Sequence, residues 1–240
     1  MRTVISLASL AFLSLAACSG RAGAEDDGEM PTARTYQVGS FDAISLGGAH
    51  DVVVRTGGAP SVRAEGPGST LDRLEIDVEG GVLRIRDKGS WFSGGNDGEA
   101  TIHVTVPALT AASIGGSGDI RIDRISGSSF RGAVGGSGDL LVGTLEVQDA
   151  RFSIGGSGSI EAGGGRSSHI DLSIAGSGDV DAGGVSSRTA RVSIAGSGDA
   201  LVNVSDVVRG SVAGSGDVTV RGAGRCEISI AGSGGVHCSG

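Results

Sequence analysis

Six aspartates each directly follow a short run of small residues or a histidine: Asp51, Asp119, Asp139, Asp179, Asp199 and Asp217. The tetrad that carries them is Gly-Ser-Gly-Asp, first at 116–119, and its central serines stand at 117, 137, 157, 177, 197, 215 and 233. A recurrence every 20 residues, falling to 18 at the end, marks a structural repeat. If the repeats stack, neighbouring carboxylates lie one strand spacing apart, about 5 Å. Two such charges repel by roughly 3–4 kcal/mol at an effective dielectric near 20. Three arrangements relieve this. The carboxylates cap Gly-Ser-Gly backbone amides, as in Asx turns. Alternatively, Arg121 and solvent screen them, or a hard cation bridges their oxygens, as Ca²⁺ does.

The calcium candidates are Asp119, Asp139, Asp179, Asp199 and Asp217. Calcium-binding Gly-Gly-x-Gly-x-Asp repeats recur every nine residues, whereas this period is twice as long. Ser159 and Gly235 also interrupt the column. Capped, solvated turns are therefore the preferred reading, and no metal is assigned. The repeated serines are not nucleophiles in a Gly-x-Ser-x-Gly elbow. His50, His103, His169 and His237 are scattered. No triad, carboxylate-lined cleft or phosphate loop is legible, so the expectation is a protein that is not an enzyme and carries no cofactor.

The elements that must position this column are short strands. In Phe152-Ser153-Ile154-Gly155-Gly156-Ser157-Gly158-Ser159-Ile160, apolar and polar residues alternate on both sides of the glycines, as in a half-buried strand. Ile114, Val134, Ile154, Ile174, Ile194, Val212 and Ile230 precede the glycine runs. Ile120, Leu140, Ile160, Val180, Ala200, Val218 and Val236 follow the tetrads. Strand–corner–strand units of this length pair each strand with its equivalent one repeat later, in parallel. The fold class expected is all-β: a parallel, right-handed β-helix or solenoid with 18–20-residue rungs. Glycine suits the corners and rules out a helical alternative.

The chain has 240 residues, 46 of them Gly, and a formal charge of −8 with Lys88 as its single lysine. No basic run is visible, which argues against nucleic acid as a partner. Residues 1–17 read as an export signal, with an apolar run too short for a stop-transfer helix. Leu15-Ala16-Ala17-Cys18 resembles the lipobox of bacterial lipoproteins. The resemblance implies cleavage before Cys18, lipidation of its thiol, and placement in the cell envelope at the outer membrane. The alternative is plain secretion with cleavage after Ala22-Gly23-Ala24. Residues 18–34 read as a flexible tether, and 35–240 as the folded domain.

The domain opens with a degenerate repeat, Phe41 to Val54, in which Gly48-Ala49-His50-Asp51 stands where Gly-Ser-Gly-Asp stands later. Leu74 to Glu79, a Gly-Gly turn, Val82 to Ile85, Thr101 to Pro107 and then the tetrads follow in order. This order resembles the head-GIN domain of putative autotransporter adhesins. The resemblance implies a right-handed parallel β-helix and a presumed adhesive role, with no catalytic residues to carry over.

Two further features stand apart. Trp91 and Phe92 sit in a Gly-rich interruption, residues 88–100, and are read either as a partner contact or as aromatics folded over the first end. Cys226 and Cys238 share the inward parity of the apolar columns, and an exported protein permits a disulfide between them. Their rival reading is two free thiols, and a metal site with His237 is disfavoured by opposite side-chain directions. The function expected is a non-enzymatic, lipid-anchored envelope protein presenting a β-helical scaffold for adhesion to a protein or glycan surface. The alternative is a calcium- or glycan-binding module acting through the Asp column or the Trp91 loop. Open β-edges at both rod ends predict self-association into a homo-oligomer unless they are capped.

Overall fold

The computed structural model describes residues 32–88, 98–222 and 224–239; Cys18, Trp91 and Phe92 lie outside them. The repeat folds as a parallel β-solenoid. Strands β1 (Thr32–Tyr36), β2 (Ala43–Leu46), β3 (Asp51–Thr56), β4 (Ser61–Gly66), β5 (Leu74–Glu79), β6 (Val82–Asp87), β7 (Thr101–Val106) and β8 (Ala111–Ile114) are short. A short helix, α1 (Gly68–Arg73), separates β4 from β5. Then β9 (Ile120–Val134), β10 (Leu140–Ile154), β11 (Ile160–Ala162), β12 (Gly165–Gly176), β13 (Val180–Gly196), β14 (Ala200–Gly214), β15 (Val218–Arg221), β16 (Arg225–Gly232) and β17 (Val236–Ser239) wind the repeats.

Within β9, alternation of buried and exposed residues breaks at Asp123–Arg124 and again at 126–129. These breaks are bends, so each turn has three straight segments. The first face precedes the glycine corner, the second follows it, and the third lies between the bends. Parallel register is kept along the rod: Ile120 pairs with Leu140, Leu140 with Ile160, and Ile160 with Val180. Ile114, Val134, Ile154, Ile174 and Ile194 stack in the same way. Their side chains are buried, each contributing about 1.5–3 kcal/mol.

Core volume is balanced between rungs. Phe130 stacks on Ala150, whereas Phe152 stacks on Gly132. The two rings meet edge to face at 6.3 Å. A Cβ at Gly132 would lie 2.6 Å from Leu140 and 2.9 Å from Phe152, so the glycine makes room for the larger neighbour.

The N-terminal end is built out of chain order. β2 pairs with β8 on one side and with β6 on the other, and β3 likewise lies between β9 and β7. β6 and β7 thus form an outer turn beneath the first repeat. Antiparallel strands then close it: β5 on β6, β4 on β7, and β1 on β4. The β5–β6 hairpin turns on Gly80 and Gly81, at φ +60° and +81°, the left-handed pair a two-residue hairpin requires. Sequence reading placed Thr32, Ala33 and Arg34 in the tether. They are strand residues instead, because β4 offers them an edge. Nor are both rod ends open, since these antiparallel strands cap the first.

Candidate functional site

The glycine corners are compact because consecutive corners touch. A Cβ at Gly116 would overlap the carbonyl oxygen of Gly48, and one at Gly136 that of Gly116. Gly118 and Gly138 stand in the same relation to His50 and Gly118. Both glycines of the tetrad are therefore required by packing of one rung on the last.

The aspartate that ends each corner is a backbone cap. Its Oδ1 accepts the amide N–H of the equivalent residue one rung later. Asp139 N–H donates to Asp119 at 2.9 Å, Ser159 to Asp139 at 2.8 Å, Asp199 to Asp179 at 2.8 Å, and Asp217 to Asp199 at 2.7 Å. Asp119 N–H donates to Asp51 at 3.2 Å, and Gly235 N–H to Asp217 at 2.6 Å. The capped amide thus belongs to the next rung, not to the Gly-Ser-Gly of the same corner. Two reasons make this favourable: an amide–carboxylate bond is charge-assisted, and the bond recurs with the stacking itself. Ser159 interrupts the column but keeps its bond to Asp139 by hydroxyl and amide together, both at 2.8 Å.

Charge along the column is uneven. Arg121 pairs with Asp119 at 2.8 Å and with Asp51 at 3.4 Å. Asp179, Asp199 and Asp217 are exposed and border an open groove of about 360 Å³ with Asp181, Arg221 and His237. Among the described residues, no group of three or more His, Cys, Asp or Glu side chains is arranged to hold a metal ion.

His50 departs from the expectation of a surface or corner histidine. It is buried and joins Asp87, at the end of β6, to Ala100, just before β7. Its Nδ1 accepts the Ala100 N–H at 3.3 Å, so Nε2 carries the proton and donates to Asp87 Oδ1 at 2.9 Å. A histidine bonded to a carboxylate has the form of half a triad, but Nδ1 is committed to an amide. The pair fastens the end of β6 to the residue before β7.

Cys226 and Cys238 are joined by a disulfide, with Cα atoms 6.7 Å apart. They continue the inward columns of Val208 and Val220. The bond links the strands on either side of the last corner.

Stacking also aligns residues that sequence reading left unassigned. On the first face Ser113, Ser153, Ser173, Ser193, Ser211 and Ser229 share one outward column, with Ala133 in place of serine at its rung. Beside it Arg131, Arg151, Asp171, Arg191, Arg209 and Glu227 form a second, in which Arg209 pairs with Glu227 at 2.8 Å. The signal was present: these arginines follow the same 20- and 18-residue spacing as the serines of the tetrad.

Residues 40–224 match the family described as putative auto-transporter adhesin, head GIN domain. The chain belongs to this head-GIN family. Solved structures agree on the fold. A putative adhesin from Bacteroides fragilis NCTC 9343 superposes with a TM-score of 0.81 at 21% identity, over 87% of this chain and 97% of that one. A putative lipid binding protein from Parabacteroides distasonis ATCC 8503 gives 0.68 at 24% identity, over 88% and 97%. A putative adhesin from the same strain gives 0.66 at 23% identity, over 89% and 98%. No curated protein matches the chain. Membership of an adhesin-like family implies that this head-GIN protein is exported or surface-located.

Proposed function

We propose that this head-GIN chain is a non-enzymatic, lipid-anchored protein of the cell envelope, at the outer membrane, that presents its rod as a contact surface. The observation that carries the reading is the repetition of outward columns on the first face. From the Arg151 rung onward one serine and one charged residue recur at every rung, held at strand spacing by a continuous parallel ladder. Such a surface offers many weak contacts in a line, and linked weak contacts add into avidity without any deep pocket. The polar groups best placed for chemistry are occupied elsewhere: the column aspartates cap amides, and His50 holds a backbone N–H. The Leu15-Ala16-Ala17-Cys18 lipobox supports the anchor, and several acyl chains bind a membrane firmly where one does so only marginally.

The test displays the wild-type chain and Cys18→Ala in a bacterial host and counts cells retained on immobilised polysaccharides and proteins. Retention by wild-type cells, lost in Cys18→Ala as the protein moves to the soluble fraction, is the expected result. Retention no better than that of host cells lacking the chain removes the contact function. Cys18→Ala protein that stays in the membrane fraction removes the lipid anchor.

A further inference from the structure

The repeat shortens from 20 to 18 residues in one place, and that place is a groove. Between β13 and β14, Val180 pairs with Ala200, but Ser186 then pairs with Asn203 and Thr189 with Val207. The later rung is shorter on the third face, so the surface steps inward there. The step holds an open groove of about 470 Å³, within the size range of small-molecule sites.

Its lining has an unusual composition for a chain of formal charge −8. Arg166 and Arg188 flank it, with Ser168, Ser186, Asn203 and Ser205 between them, and no carboxylate lines it. Among the described residues neither arginine forms an ion pair. Asp206 faces Arg225 at 3.9 Å, and Glu146, the strand neighbour of Arg166 one rung back, is not in the lining. The floor is made of two buried serines standing where Val147 stands one rung earlier. Ser167 donates to backbone carbonyls of His169 at 2.8 Å or Gln148 at 3.1 Å, and Ser187 to that of Asn203 at 2.9 Å. Ser205 likewise donates to the Ser187 carbonyl at 3.3 Å, so these bonds tie the step to its neighbours, and Ser168, Ser186 and the Asn203 amide remain in the lining for a ligand.

We infer that this step binds an acidic carbohydrate, a ligand with many hydroxyls for each carboxylate. The inference rests on the contact function proposed above and adds to its first-face columns a ligand class taken by the third face. Guanidinium groups take carboxylates through paired, charge-assisted hydrogen bonds. Serine hydroxyls and an asparagine amide can each donate and accept, as sugar hydroxyls do. An acidic peptide supplies the carboxylates without the hydroxyls. This location differs from the Asp column and the Trp91 loop, the places where sequence reading put a glycan.

The experiment titrates residues 25–240 by calorimetry with tetragalacturonate, its methyl ester, a neutral galactose tetramer and tetraglutamate. Tetragalacturonate binds at least about tenfold tighter than the other three, and added salt weakens it. Arg166→Gln with Arg188→Gln costs at least about tenfold, whereas Arg55→Gln with Arg63→Gln, an equal loss of charge on exposed arginines at the N-terminal end, leaves binding unchanged. Equal binding of the ester or the neutral tetramer, or no heat with tetragalacturonate at millimolar concentration, overturns the inference. So does tetraglutamate binding as tightly, or an equal loss in both double variants. Cell retention is scored separately. Groove binding in a chain that retains no cells removes the contact function and leaves the site standing.

Discussion

At its N-terminal end the rod is closed by strands that run against the ladder; at its C-terminal end the described chain finishes on a parallel edge. β5, β4 and β1 add three antiparallel strands to the first turn, and α1 packs alongside. Arg34 fastens that cap, donating to Leu71 O and to Asp72 Oδ1, both at 2.7 Å. Among the described residues the last rung has no such cover. Ile228 and Val236 are only partly buried and Ile230 is 44% exposed, although Val236 and Ile230 continue columns buried at every earlier rung. A covalent link between Cys226 and Cys238 stands there in place of a covering layer. The difference teaches that a solenoid rung is stabilised mainly by its neighbours, so an end needs either foreign strands or a cross-link.

The sharpest way to break the comparison is one substitution made at two heights. Gly138→Ala, in mid-rod, forces a Cβ onto the Gly118 backbone and costs more than about 3 kcal/mol, unfolding the rod as a whole. Gly234→Ala meets the Gly216 carbonyl in the same way, yet unfolds only the last rung. Chemical denaturation with hydrogen exchange reads both, and equal global losses would refute the neighbour-by-neighbour picture.

Removing the cross-link comes next. Cys226→Ser with Cys238→Ser costs about 3 kcal/mol on the chain-entropy view, confined to β16 and β17 in hydrogen exchange. At the other end, His50→Ala leaves the Ala100 N–H and Asp87 without their partner and costs about 1–3 kcal/mol. Its exchange signature should appear in β6 and β7.

The open edge is tested by sedimentation of residues 25–240 across a concentration series. Self-association through β16 should weaken in Ile230→Lys, because charge on an edge strand blocks pairing. Stability should change by no more than about 0.5 kcal/mol.

The smallest effect is electrostatic. Hydrogen bonding to Arg34 holds the Asp72 carboxyl below its ordinary value, and Arg86 does the same for Glu75. A carboxylate with a lowered folded value stabilises above its unfolded value, and loses that contribution as pH falls through the folded one. Both pairs belong to the N-terminal cap. Acid below the usual carboxylate range should therefore loosen β1, α1 and β5 slightly, and amide exchange against pH measures it.

How much was legible depends on what each feature requires. The parallel stack could be read from residues 110–240, because apolar residues flanking a recurrent tetrad bury themselves in only one way. The equivalence of Gly48-Ala49-His50-Asp51 with the later corners was also readable, and Asp119 N–H donating to Asp51 is its structural counterpart. The out-of-order first turn was not, since nothing local in β6 and β7 states that they lie beneath β2 and β3. The contacts of His50 were hidden for the same reason, being made to residues 37 and 50 positions away.

Periodicity alone determined the rung length, the inward columns and the corner glycines, because these repeat a local pattern that has to bury its apolar face. Tertiary structure decided what each polar group does. The aspartates cap amides one rung on, His50 links Asp87 to the Ala100 amide, and two arginines face a groove without a carboxylate. Those outcomes depend on which strands become neighbours, and a side chain's partner is set by what stacks against it.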